Sequence, residues 1–120
     1  MMNVNAVHLM GRVTRDPDLR RTQKGTAVLD FRMATNRKAA EGAVVTFVDV
    51  RAWKGLAEGC STTLKRGYPV YVEGELRNEE FTDRTGRPRS RLYVLANAVQ
   101  FLGGLYGGEK DVEKDESENE

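Results

Sequence analysis

The sequence predicts an all-β domain, a five-stranded Greek-key barrel with one short helix between the third and fourth strands. Three observations point there. Short apolar segments recur with a period of two, turn-forming residues punctuate them, and the one stretch with helical spacing, around Leu56 and Leu64, follows the third of these segments. A chain of 120 residues with 39% hydrophobic content can enclose one modest core, which predicts one domain.

The elements follow in order. Val4 to Thr14 is a mostly apolar run, closed at Arg15-Asp16-Pro17-Asp18 because proline removes a ladder donor and aspartates favour a turn. From Ala27 to Thr35, Ala27, Leu29, Phe31 and Met33 take one face and Asp30 and Arg32 the other, a half-wet strand. The polar, small-residue stretch Asn36 to Ala43 predicts a loop before the strand Val44 to Trp53. In that strand Val48, Val50 and Ala52 share a face suited to a core. Phe47, Asp49, Arg51 and Trp53 share the opposite face, and aromatics interleaved with charges suit a wet surface that stacks something flat.

Gly55 to Arg66 permits a helix of about three turns, closed by Lys65-Arg66-Gly67 and weakened by Gly59 and Thr62-Thr63. In Val70 to Arg77 the even positions are apolar or glycine, and the odd face, Tyr71, Glu73, Glu75 and Arg77, continues to Phe81. A polar hairpin from Thr82 to Arg89 leads to the last strand, Leu92 to Phe101, apolar on both faces.

Composition narrows the chemistry. One cysteine, Cys60, and one histidine, His8, exclude disulfide scaffolds and conventional His/Cys metal cages, so neither a metal nor a cofactor is expected. His8 reads as a packing or interface residue and Cys60 as a small buried side chain of the helix. No apolar run is long enough to span a membrane, and Met1 to Asn5 lacks a signal-peptide layout, which predicts a cytoplasmic protein with no membrane partner. The formal net charge of +1 hides an asymmetry. Residues 109–120 hold seven acids against two lysines, leaving seventeen bases, thirteen of them arginine, against eleven acids in residues 1–108. A basic, arginine-biased body points to a polyanion, although scattered solubilising charge gives the same count. After Gly103-Gly104-Leu105-Tyr106-Gly107-Gly108 the composition turns acidic, so the domain is placed at 1–104 and a flexible acidic tail at 105–120.

Five strands with a helix after the third is the order expected of an OB-fold, a barrel that often binds oligonucleotides across one face, although other small β-rich folds share that order. Four segments then carry a resemblance: Gly11 to Arg20, Asp30 to Asn36, Val70 to Arg77, and Phe81-Thr82-Asp83 with Gly86. In that order and spacing they resemble the bacterial single-stranded DNA-binding protein family, over about residues 3–104. The resemblance implies an OB domain, binding of single strands with little sequence preference during replication, recombination and repair, no enzymatic activity, and assembly as a homotetramer. It places stacking aromatics at Phe47, Trp53 and Phe81. The family's further aromatic, after the second strand, falls near Ala39, so that platform is absent. Its basic positions fall on Lys54, Lys65 and Arg66, but Glu79 and Glu80 stand where basic or polar residues are usual. The family's acidic tail commonly ends in an apolar tip that docks replication and repair proteins, whereas this sequence stops at Glu118-Asn119-Glu120.

The chemistry of such a face is stacking plus phosphate neutralisation. Each base laid on an aromatic ring gains roughly 1–3 kcal/mol with little regard for its identity. Candidate phosphate contacts are Arg32, Arg37, Lys38, Arg51, Lys54, Lys65, Arg66, Arg77, Arg84 and Arg87, with Arg89 and Arg91 along the same groove. Strand parity alone also allows Phe47 and Phe81 to be buried at a subunit interface and Trp53 to cap the barrel. Two other functions stay open at this level: a metal-dependent nuclease using Asp49, Glu73 and Glu75, and an OB module serving as a protein adaptor.

Overall fold

A computed structural model describes residues 2–102. Its elements are β1 (Val7–Val13), β2 (Asp18–Arg21), β3 (Ala27–Ala39), β4 (Gly42–Trp53), α1 (Lys54–Thr63), β5 (Pro69–Thr82) and β6 (Pro88–Phe101). The sheet runs β1-β5-β6-β4-β3-β2, and β1 pairs with β3 as well, so that β1, β5, β6, β4 and β3 close the expected five-stranded barrel. Neighbours pair antiparallel except β4 and β6, which meet in parallel at Val50↔Val94 and Arg51↔Leu95. The described residues stop short of the 105–120 tail and of the boundary placed at 104.

Several segments differ from the sequence reading. The turn after β1 is followed by β2, which takes the edge of β3 from Ala27 to Asp30 while β1 holds Met33 and Ala34. All four β2 residues are exposed, so no apolar alternation announces it; its formation satisfies backbone groups that β1 leaves unpaired. The predicted loop 36–43 is instead a long hairpin arm: the ladder continues through Asn36↔Val45 and Lys38↔Ala43 to a two-residue turn at Ala40-Glu41, with Gly42 at φ 120°. The β-branched Val44, Val45 and Thr46 support it from the β4 side, where composition on the β3 side hid it. Likewise β5 and β6 extend to Thr82 and Pro88, shortening their connection.

The helix stops at Thr63 rather than Arg66. The Thr62 and Thr63 hydroxyls both donate to the Gly59 carbonyl, and Leu64 turns extended and enters the core. Ala57, Cys60 and Leu64 thereby plug the barrel, joining Val13, Leu29, Phe31, Met33, Val50, Ala52, Val70, Val72, Val94 and Ala96. Closure depends on two glycines. A Cβ at Gly11 would stand 2.1 Å from the Ala34 carbonyl oxygen where β1 crosses β3. At Gly74, beside the register shift between β5 and β6, it would stand 2.1 Å from that of Leu95.

Candidate nucleic-acid interface

The antiparallel register of β3 and β4 sets the outward face. Asp30-Phe31-Arg32 runs against Asp49-Val50-Arg51, so each acid lies opposite a base: Asp30↔Arg51 and Arg32↔Asp49. The pairs close, with Arg51 Nε donating to Asp30 at 2.8 Å and Arg32 Nε to Asp49 at 3.1 Å. The aromatics flank them. Phe47 lies opposite Ala34 and Trp53 opposite Val28, small side chains that are buried beside the large rings although they point to the outer face. Trp53 remains 38% exposed, while Phe47 is half-buried with the Arg32 guanidinium 5.8 Å from its ring centre.

The charges extend across the sheet. Asp30 also accepts from Arg20 of β2, and Arg51 reaches Glu79 of β5 at 3.5 Å, whose carboxylate takes Arg91 of β6 at 3.1 Å. Beneath this chain Tyr93 presents its ring to Arg51, 4.8 Å from guanidinium carbon to centroid. Burial pushes the Asp30 carboxyl up, but its hydrogen bonds to Arg51 and Arg20 and their charges outweigh that and hold it below the usual carboxylate range. Two open clefts share this floor: one holds Asp16, Arg32, Asp49 and Tyr93, the other Trp53, Arg20 and Glu79, with Asp30, Arg51 and Arg91 lining both.

Phe81 stands apart from that floor, on the β5–β6 hairpin. It is 43% exposed, lies opposite Arg89, and shares a shallow cleft with Glu80, Thr82 and Pro88. One carboxylate organises the turn beyond it. Asp83 accepts from the Thr85 hydroxyl (2.6 Å) and amide (2.9 Å), the Arg87 amide (3.0 Å) and Arg89 Nε (2.8 Å). These bonds, led by the Thr85 hydroxyl, hold its pKa at about 2.

The remaining candidates divide by partner. Arg77, opposite Tyr93, is bonded to Glu75 at 2.6 Å. Arg37 and Lys38 lie on the β3–β4 arm, Arg84 and Arg87 at or beside the β5–β6 turn, and Lys54 follows Trp53 with φ 60°; none of these five side chains has an ion pair among the described residues. Lys65 and Arg66 sit in the turn after the helix, tied to the barrel by the Arg66 amide donating to Asp16. Sequence reasoning overlooked Arg20, Tyr93 and the role of Glu79; the repeated Asp-x-Arg on two antiparallel strands was the available signal for the crossed pairs.

The other residues weighed for chemistry are scattered. Asp49 is held by Arg32, Glu73 by the Tyr71 hydroxyl at 2.7 Å, and Glu75 by Arg77; no group of three or more His, Cys, Asp or Glu among the described residues is placed to hold a metal ion. His8 is exposed rather than packed, its Nδ1 3.1 Å from the Tyr71 hydroxyl. Cys60 is buried, and burial pushes its thiol pKa up. No helix among the described residues is long and apolar enough to cross a membrane.

A closed five-stranded barrel with a helix after β4, bearing rings and guanidinium groups on one outer face, defines an OB-type domain. Residues 4–102 match the model of the single-strand binding protein family, and the chain belongs to that family. Single-stranded DNA-binding proteins of Treponema pallidum (39% identical over 112 residues) and Wolinella succinogenes (38% over 112) align with 90% and 87% of this chain respectively. That of Deinococcus radiodurans is 38% identical over 104 residues. The chain spans 63%, 69% and 34% of these three proteins.

Proposed function

We propose that this chain binds single-stranded DNA without regard to sequence, protecting it during replication, recombination and repair, with no catalytic step. The observation that carries the reading is the meeting of Trp53 and Arg51, two residues apart on the outer face of β4, in one open cleft with Arg91 and Glu79 from the β5–β6 hairpin. Bases stack on Trp53, Phe47 and Phe81. Phosphates meet first those candidate cations without a carboxylate partner among the described residues: Arg37, Lys38, Lys54, Arg84 and Arg87. Arg32, Arg51 and Arg77 contribute by exchanging a carboxylate for a phosphate, and Lys65 and Arg66 extend the path past Asp16. Duplex DNA keeps its base faces within the stack and leaves the rings without partners.

The binding unit is residues 1–104, and the tail 105–120 competes weakly with DNA through the charge of its acidic part, 109–120. Family membership supports a cytoplasmic homotetramer, in which neighbouring sites raise the effective concentration of each next contact. Trp53 is the only tryptophan, so its fluorescence reports the face directly. Oligo-dT quenches it and equal-length duplex does not; quenching by both alike, or by neither, overturns the reading.

A further inference from the structure

We infer that Glu79 is a built-in competitor of DNA phosphate: its carboxylate occupies Arg51 and Arg91 in the free protein, and its displacement sets the affinity and salt response of the face. The inference rests on the single-strand reading above. One oxygen, Oε1, meets both cations, Arg91 Nε at 3.1 Å and the outward Arg51 nitrogen at 3.5 Å. That is the bridging position a phosphate oxygen takes between two guanidinium groups. Arg51 Nε is held by Asp30 at 2.8 Å, which leaves the terminal nitrogens of the guanidinium, one of them facing Glu79, to meet a ligand.

The arrangement is displaceable. The Arg91–Glu79 pair is exposed, at 51% and 31%, where ion pairs are weak, and the contact of Glu79 to the more buried Arg51 (13%) is long at 3.5 Å, so a phosphate can exchange in. Glu79 also shares a strand face with Phe81, two residues on, so a base stacked there brings its backbone toward this carboxylate. When phosphate replaces the carboxylate, the freed Glu79 recaptures a cation. The exchange then cancels counterion release that two open arginines would contribute to binding. The face therefore binds with fewer effective charges than its arginines number.

Glu79→Gln keeps the side-chain shape and removes the competing charge. Glu80→Gln makes the same charge change on the opposite strand face, where Glu80 pairs in register with Ser90 and has no ion pair among the described residues. Oligo-dT affinity of the full chain is measured by anisotropy across a salt series, with melting curves for each variant. Glu79→Gln is expected to bind roughly tenfold tighter at low salt, the scale of one added charge-assisted hydrogen bond. Its log K against log salt slope steepens by about 0.7–1.4, for one or two recovered phosphate contacts. Arg91→Gln should cost more affinity in the Glu79→Gln background than in the parent. If Glu79→Gln does not fold, Glu79→Thr, a better strand former, gives the same readout. A Glu79 variant that matches Glu80→Gln in slope, or binds more weakly, overturns the inference while parent binding leaves the functional reading intact. No binding by the parent removes both.

Discussion

Trp53→Ala tests the stacking face where geometry and energy are most separable. Trp53 is 38% exposed and lines an open cleft, which leaves part of the indole accessible to a base, and it sits in register with Val28 of β3, which is only 2% exposed. Truncation removes one stacking platform, roughly 1–3 kcal/mol, which weakens oligo-dT binding about 5-fold to 150-fold. The fold pays less, since only the edge over Val28 opens: roughly 1 kcal/mol, or a Tm lower by about 4–8 °C. Trp53→Phe keeps a π face and should retain most of the affinity. Anisotropy of a labelled oligo-dT is the assay, because the alanine variant loses the chain's only tryptophan and with it the intrinsic signal. A folded Trp53→Ala protein that binds as tightly as the parent would refute the stacking argument, whatever the arginines do.

Other consequences are as specific. Gly11→Ala places a Cβ 2.1 Å from a backbone oxygen that side-chain motion cannot clear, so β1 and β3 must separate. Urea unfolding should show a loss of about 3 kcal/mol or more, and a smaller loss would mean the crossing is loosely packed. Asp83 has its folded pKa depressed to about 2 from 3.8, so its contribution is complete above the unfolded value and fades as pH falls from about 4 through 2. Hydrogen exchange at the Thr85 and Arg87 amides should therefore lose protection over that acid range in the parent, with little pH dependence in Asp83→Asn beyond the intrinsic exchange rate. Lys54 holds φ 60° without being glycine, so Lys54→Gly should be at least as stable as the parent, whereas the β-branched Lys54→Val should be less stable by roughly 1–2 kcal/mol.

Much of this protein is legible along its chain because period-two alternation is a local property. Ala27, Leu29, Phe31 and Met33 declared a core face, as did Val48, Val50 and Ala52, and the same parity turned Phe47, Trp53 and Phe81 outward before any strand was paired. Parity alone could not say what lies beside an outward residue. That depends on register, which joins residues distant in sequence: Asp30 to Arg51, Arg32 to Asp49, and Glu79 to Arg91. Strands held by backbone bonds with little apolar burial, β2 and the β3–β4 arm, were hidden for the related reason that their partner supplies the stabilisation. The sequence by itself thus determined the core faces of the main strands and the outward parity of the three rings, through hydrophobic patterning that each strand carries alone, while the barrel was read from element order and the family resemblance. Only the tertiary structure decided that several arginines beside those rings already hold carboxylates, because charge pairing acts through space and requires the closed sheet to bring its partners together.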